Sequence, residues 1–132
     1  MPKKYYVDSS IWRDYFENRV DRFRPLGEWA FEFLRKAAAE NDIIIISDVL
    51  IDELGSFSSK LNEVVKDFEI NVKYVNVDEK QILRARKLSR VHYSDAVHLI
   101  VATDNRCVLI TRDHDFDECA SYLEIHKPED LL

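Results

Sequence analysis

Apolar positions along the chain recur with two periods. Short runs of branched and aromatic residues at 4–8, 43–46, 72–77, 107–110 and 123–125 read as strands. The second run, Ile43 through Ile46, is continuous, as expected of a parallel strand covered on both faces. Between the runs the spacing changes to that of helices. Leu26, Trp29, Ala30, Phe33, Leu34 and Ala37 form one apolar stripe, and Asn41-Asp42 stop it. Ser9-Ser10 cap a short helix over 11–17, and Ser47 caps one bearing Val49, Leu50, Leu54 and Phe57. An amphipathic segment spans 61–68, after a break at Gly55 and the serines up to Ser59. Asp78 caps a helix running to about Arg90, and Ser94 opens another to about Thr103. Strands alternating with helices predict a mostly parallel sheet with helices on both faces, a three-layer α/β/α sandwich.

Some polar residues break these patterns. Asp95 and His98 stand in the otherwise apolar helix after Ser94, and Glu53 shares a helix face with Val49 and Leu50. A carboxylate on an apolar face needs a partner or a proton, and a cation is the simplest partner. Asp8 closes the first strand, and Asp113 follows the run at 107–110. In parallel sheets ligands bind beyond the carboxyl ends of strands, where both of these acids fall. Each acid also has an ordinary reading. Asp8 and Asp113 suit turns, Asp95 suits a first helical turn, and Asp115 and Asp117 suit solvent. His98, one turn from Asp95, reads as a satisfied packing residue. Four acids at one rim, however, repel one another unless a cation holds them ionised. All-oxygen donors select Mg²⁺ or Mn²⁺ over zinc, and such an ion suits phosphodiester hydrolysis.

Composition and charge narrow the picture. The chain has 132 residues, enough for one domain, and its 46% hydrophobic content argues for a packed globule. No signal peptide or membrane span is visible, so a cytosolic location is expected. Cys107 and Cys119 lack zinc-site spacing and read as structural. The net charge is −6, unusual for a protein that binds a polyanion. Arg84, Arg86, Lys87 and Arg90 precede Asp95, and Arg112 adjoins Asp113. If these cations lie by the acid rim, they could hold phosphates there.

Taken together, V-D-S-S-I-W at 7–12, S-D-V-L-I-D-E-L at 47–54, D-A-V-H-L-I-V-A at 95–102 and T-R-D-H-D-F at 111–116 resemble the PIN-domain ribonucleases, similar to the VapC toxins. The resemblance implies a five-stranded parallel sheet, Mg²⁺- or Mn²⁺-dependent cleavage of RNA, frequent homodimers and a small antitoxin partner. It carries the four family acids onto Asp8, Glu53, Asp95 and Asp113, with Asp115 auxiliary and His98 in the scaffold. Ser10 and Thr111 would support the acids through their hydroxyls. The charged stretch 18–25 departs from the family pattern.

Two other readings stay open. A phosphorelay receiver would keep its phospho-acceptor at Asp78, although the acid pair expected after its first strand is missing. A PIN-like scaffold could bind RNA or protein without cutting. A dinucleotide enzyme is unsupported, since no G-x-G-x-x-G or phosphate loop is present.

Overall fold

A computed structural model describes residues 2–88, 91–119 and 121–132. Five strands form one sheet: β1 (Lys4–Val7), β2 (Ile43–Ser47), β3 (Asn71–Val75), β4 (Val108–Ile110) and β5 (Ile125–His126). Their order is β3-β2-β1-β4-β5, and every pairing is parallel. The helices are α1 (Ser9–Phe16), α2 (Leu26–Ala39), α3 (Asp48–Leu54), α4 (Ser58–Asp67), α5 (Glu79–Arg86) and α6 (Tyr93–Asp104).

The two-residue period of the strands sorts their side chains into two cores. Tyr5, Val7, Ile44, Ile46 and Ile110 point to one face, where they pack with Ile11, Phe33, Leu34, Leu50 and Leu61 from helices α1 to α4. Tyr6, Ile45 and Leu109 point to the other, against Ala85 of α5 and the buried run Ala96–Ala102 of α6. The expected α/β sandwich is therefore present, with helices on both faces.

Several boundaries differ from the sequence expectation. Gly55–Phe57 is a 3-10 turn that joins α3 directly to α4, where a loosened break was expected. Gly55 takes a φ of 57°, the left-handed region open to glycine. Helix α5 stops at Arg86, before Arg90, which lies outside the described residues. A 3-10 turn, His114–Cys119, follows β4 and buries Phe116 completely. Cys107 and Cys119 are free and buried, in keeping with a structural role. No helix among the described residues is long and apolar enough to cross a membrane.

Candidate metal centre

The chain runs outward from β1 through β2 to β3, then returns to place β4 on the other side of β1. The connections thus diverge between β1 and β4, and parallel sheets open a crevice at such a point. Asp8 follows β1 and Thr111 follows β4, one on each lip of that crevice. The Asp8 N–H donates to the Ile110 carbonyl at 2.9 Å, so the two strand ends are stitched together.

Asp8 is the N-cap residue of α1, yet its side chain makes no capping bond. Its Oδ2 instead accepts from the hydroxyls of Ser10 and Thr111, each at 2.9 Å. Thr111 Oγ1 in turn accepts from the Asp113 N–H at 3.1 Å. One hydroxyl therefore fixes both the Asp8 carboxylate and the start of the next acid-bearing turn. Asp113 Oδ1 accepts from the Asp115 N–H at 2.9 Å, which folds that turn back on itself. Both hydroxyls therefore contact the Asp8 carboxylate directly.

Asp95, Asp113 and Asp115 each offer a carboxylate oxygen, and these oxygens lie within 4.8 Å of one another. Asp95 stands in the first turn of α6. Burial, and then the charges of Asp113, Asp8 and Asp115, push its carboxyl up to about 6. That crowding is unfavourable for the protein alone and favourable for a cation. The donor set is oxygen only, partly buried and open on one side, which fits a hard divalent ion such as Mg²⁺ or Mn²⁺.

Glu53 is held apart from this trio. Its Oε2 pairs with His98 Nε2, and its Oε1 accepts from Ser9 Oγ at 3.2 Å. Ser9 adjoins Asp8 and His98 lies one turn beyond Asp95, so Glu53 is tied to both sides of the acid rim. The His98 bond holds the Glu53 carboxyl below its ordinary range, against the opposing effect of burial. The partner required by a half-buried Glu53 is thus an imidazole, where a cation had seemed simplest. His98 is buried, and its Nδ1 lies 2.5 Å from the Tyr6 hydroxyl. The Tyr6 hydroxyl also meets Ser47 Oγ at 2.8 Å, and Ser47 Oγ accepts from the Leu50 N–H at 3.0 Å. One arrangement gives every proton of this chain an acceptor: Ser47 O–H to Tyr6, Tyr6 O–H to Nδ1, and Nε2–H to Glu53. Burial pushes the Tyr6 phenol well up, which keeps its proton in place. His98 is the satisfied packing residue expected, but it also orients an acid. Ser47 caps α3 as its sequence predicts, but its bond to Tyr6 and the place of Tyr6 in this chain escaped sequence reading, because Tyr6 looks like an ordinary strand residue.

The cations are not where they were expected. Arg84 pairs with Asp104 at 2.7 Å, at the end of α6 opposite Asp95. The two aspartates are nine helical positions apart, roughly 13 Å along the axis. Arg86 and Lys87 are exposed beside it on the same helical segment, and Arg90 lies outside the described residues. Arg112 does adjoin the rim, but its guanidinium grips Glu129 through two bonds of 2.7 and 2.8 Å and reaches Asp14 at 3.3 Å. It pins the C-terminal turn to α1 and has little left to offer a phosphate. Asp78 accepts from the Gln81 N–H at 2.8 Å in a capping box on α5, beyond the edge strand β3. A receiver's acceptor would stand bare at the central crevice, so that alternative has no support in the fold.

A parallel α/β protein with an oxygen-only acid cluster at its topological switch point is the class defined so far. A model of the PIN domain matches residues 5–121, and the chain belongs to that family, one of nucleases. Among solved structures, the fold is similar to VapBC2 from Rickettsia felis bound to a DNA fragment from their promoter, with a TM-score of 0.64 and 14% identity. That match covers 94% of this chain and 98% of the other. It is also similar to a toxin-antitoxin complex from Klebsiella pneumoniae, with a TM-score of 0.57, 21% identity and coverage of 93% and 96%. No curated protein matches the chain.

Proposed function

We propose that this protein is a Mg²⁺- or Mn²⁺-dependent endoribonuclease and the toxin of a toxin–antitoxin pair. The observation that carries the reading is the meeting of Asp95, Asp113 and Asp115 beside Asp8 at the crevice between β1 and β4. Asp95, Asp113 and Asp115 would hold the cation, with Asp8 closing the rim from the far lip. When bound, the ion supplies Lewis acidity and charge neutralisation at a phosphodiester. Glu53 stays ionised under the His98 bond, so it can accept a proton from an attacking water. Ser10 and Thr111 keep the Asp8 carboxylate aimed while the substrate enters. Membership of the PIN family and the likeness to two toxin–antitoxin structures support the nuclease and its pairing with a small antitoxin. A homodimer, a single-domain chain and a cytoplasmic site of action belong to the same reading.

The direct test is cleavage of a labelled RNA by purified protein with Mg²⁺ and with EDTA. Cleavage that needs the ion and disappears in Asp8→Asn or Asp113→Asn, with the circular dichroism unchanged, is the expected result. Equal cleavage in EDTA, or full activity in Asp113→Asn, overturns it.

A further inference from the structure

The loop between α1 and α2 is fixed at its base and bare at its tip. The Arg19 N–H donates to the Asp14 carbonyl, and the Gly27 N–H to the Arg19 carbonyl, each at 3.0 Å. A Cβ at Gly27 would lie 2.7 Å from the Asn18 Cα, so only glycine lets α2 start against this loop. Paired backbone bonds between Asp21 and Arg24, at 3.0 and 2.9 Å, close a turn with Arg22 and Phe23 at its tip. Arg22 sits at φ 56°, a left-handed conformation that disfavours residues other than glycine.

What this loop displays is unusual for a surface turn. Phe23 is 100% exposed, the barest of the large apolar side chains among the described residues. Residues 18–25 carry three arginines against one aspartate in a chain whose net charge is −6. Arg19 pairs with Glu17 and Asp14, and Arg24 with Asp21. Arg22 forms no ion pair at contact distance among the described residues. Arg19, Val20 and Asp21 line the same open cleft of about 720 Å³ as Ser10, Arg112 and Asp113. Asp113 belongs to both the cleft and the acid cluster, so the cleft leads from the loop to the candidate metal centre.

We propose that this loop is a subsite for single-stranded RNA. Phe23 stacks on an unpaired base, Arg22 takes the neighbouring phosphate, and the strand descends the cleft to the acids at Asp113. An aromatic ring and an arginine side by side are the pair that binds a base face and its phosphate without reading sequence. A base can offer its face only when it is unstacked, so a duplex is excluded from this subsite. Arg22 would also supply the unengaged cation that α5 and Arg112 do not bring to the rim. The proposal rests on the nuclease reading and deepens it by naming the substrate's form.

Fluorescence anisotropy of the full chain in EDTA with a labelled single-stranded RNA of about twelve nucleotides tests it. Phe23→Ala should weaken binding about tenfold, the loss of one base stack, and Phe23→Trp should restore it with indole quenching on binding. Arg22→Ala should lower the salt slope by about 0.7, one phosphate on a single strand. In Mg²⁺, Phe23→Ala should raise KM more than it lowers kcat. Leu83→Ala, an exposed apolar residue on α5, should bind as wild type does. If Phe23→Ala and Arg22→Ala bind normally while the wild type still cuts RNA, the subsite is wrong and the nuclease stands. If the wild type neither binds nor cuts RNA, both fall. A change in sedimented mass of Phe23→Ala with unchanged RNA affinity assigns the ring to a protein contact and overturns the proposal.

Discussion

Replacing Asp95 with asparagine should stabilise the metal-free protein at neutral pH while removing its response to metal. Folding raises this carboxyl from its ordinary 3.8 to about 6. The first cause is burial, followed by the charges of Asp113, Asp8 and Asp115. An acid raised by folding binds its proton more tightly in the native state. Its favourable contribution is therefore complete below about pH 4 and is lost as the pH rises to about 6. Above that, the ionised group costs stability. The full shift is worth about 3 kcal/mol, but Asp95 is partly open to solvent, and screening reduces this to about 1–2 kcal/mol. In EDTA at pH 7, Asp95→Asn should melt about 3–8 °C above the wild type, and the gap should close near pH 4. Adding Mg²⁺ at pH 7 should raise the wild-type melting temperature, since a ligand of the native state stabilises it by mass action. It should leave Asp95→Asn almost unmoved. Paired melts across pH 4–8, with and without Mg²⁺, read out both effects. If Asp95→Asn is less stable than the wild type at pH 7 in EDTA, the carboxylate has a favourable partner and the crowding argument is refuted.

Tyr6→Phe removes the donor to His98 Nδ1 without changing the ring's packing, and should lower kcat about 10- to 100-fold through a misaligned Glu53 while leaving Mn²⁺ affinity unchanged. Single-turnover cleavage and isothermal titration with Mn²⁺ check it, and an unchanged kcat would leave the hydrogen-bonded chain without a role. Arg112→Ala leaves the buried Asp14 with Arg19 alone, at 3.6 Å, and should cost about 2–4 kcal/mol in urea denaturation, with no change in the salt slope of RNA binding. Gly27→Ala drives a methyl group into backbone of the 18–25 loop and should cost about 1–3 kcal/mol, again by urea denaturation; a neutral result would mean the loop yields freely.

The layered α/β plan was legible because short branched runs alternate along the chain with helical apolar stripes. Tyr5 and Val7 face one core and Tyr6 the other, and the continuous Ile43–Ile46 run lies inside the sheet between β3 and β1. The acids were legible for a similar reason: Asp95 and Glu53 break apolar patterns, and Asp8 and Asp113 fall just past strands. Their partners were not. Nothing local marks Tyr6 as a hydrogen-bonding residue, because its hydroxyl meets His98 from 92 positions away. Arg112 adjoins Asp113 in sequence but turns to Glu129 and Asp14, since a long side chain can choose among acids that only the fold brings near. The α5 arginines precede Asp95 in the chain, yet Arg84 meets the far end of α6. Closeness in sequence was the wrong measure for both cation groups.

Those misplaced cations bear on how a negative protein could handle a polyanion. The acid rim repels phosphate until a cation occupies it, so the protein needs positive charge near the rim but outside it. Positive charge inside the rim would pair with the acids and compete with the ion. Arg112 illustrates this: its place beside Asp113 is tolerable because Glu129 and Asp14 absorb its charge. The loop after α1 meets the requirement differently. Its residues Arg19 to Asp21 line the cleft together with Asp113, and Arg22, which forms no ion pair at contact distance among the described residues, lies at its tip. Glu53 follows the same logic from the acid side, since it is anchored to the His98 imidazole and the Ser9 hydroxyl and stands outside the aspartate trio. Separation of charge across the cleft, more than its total, is what would let one small domain hold a divalent ion and an RNA strand together.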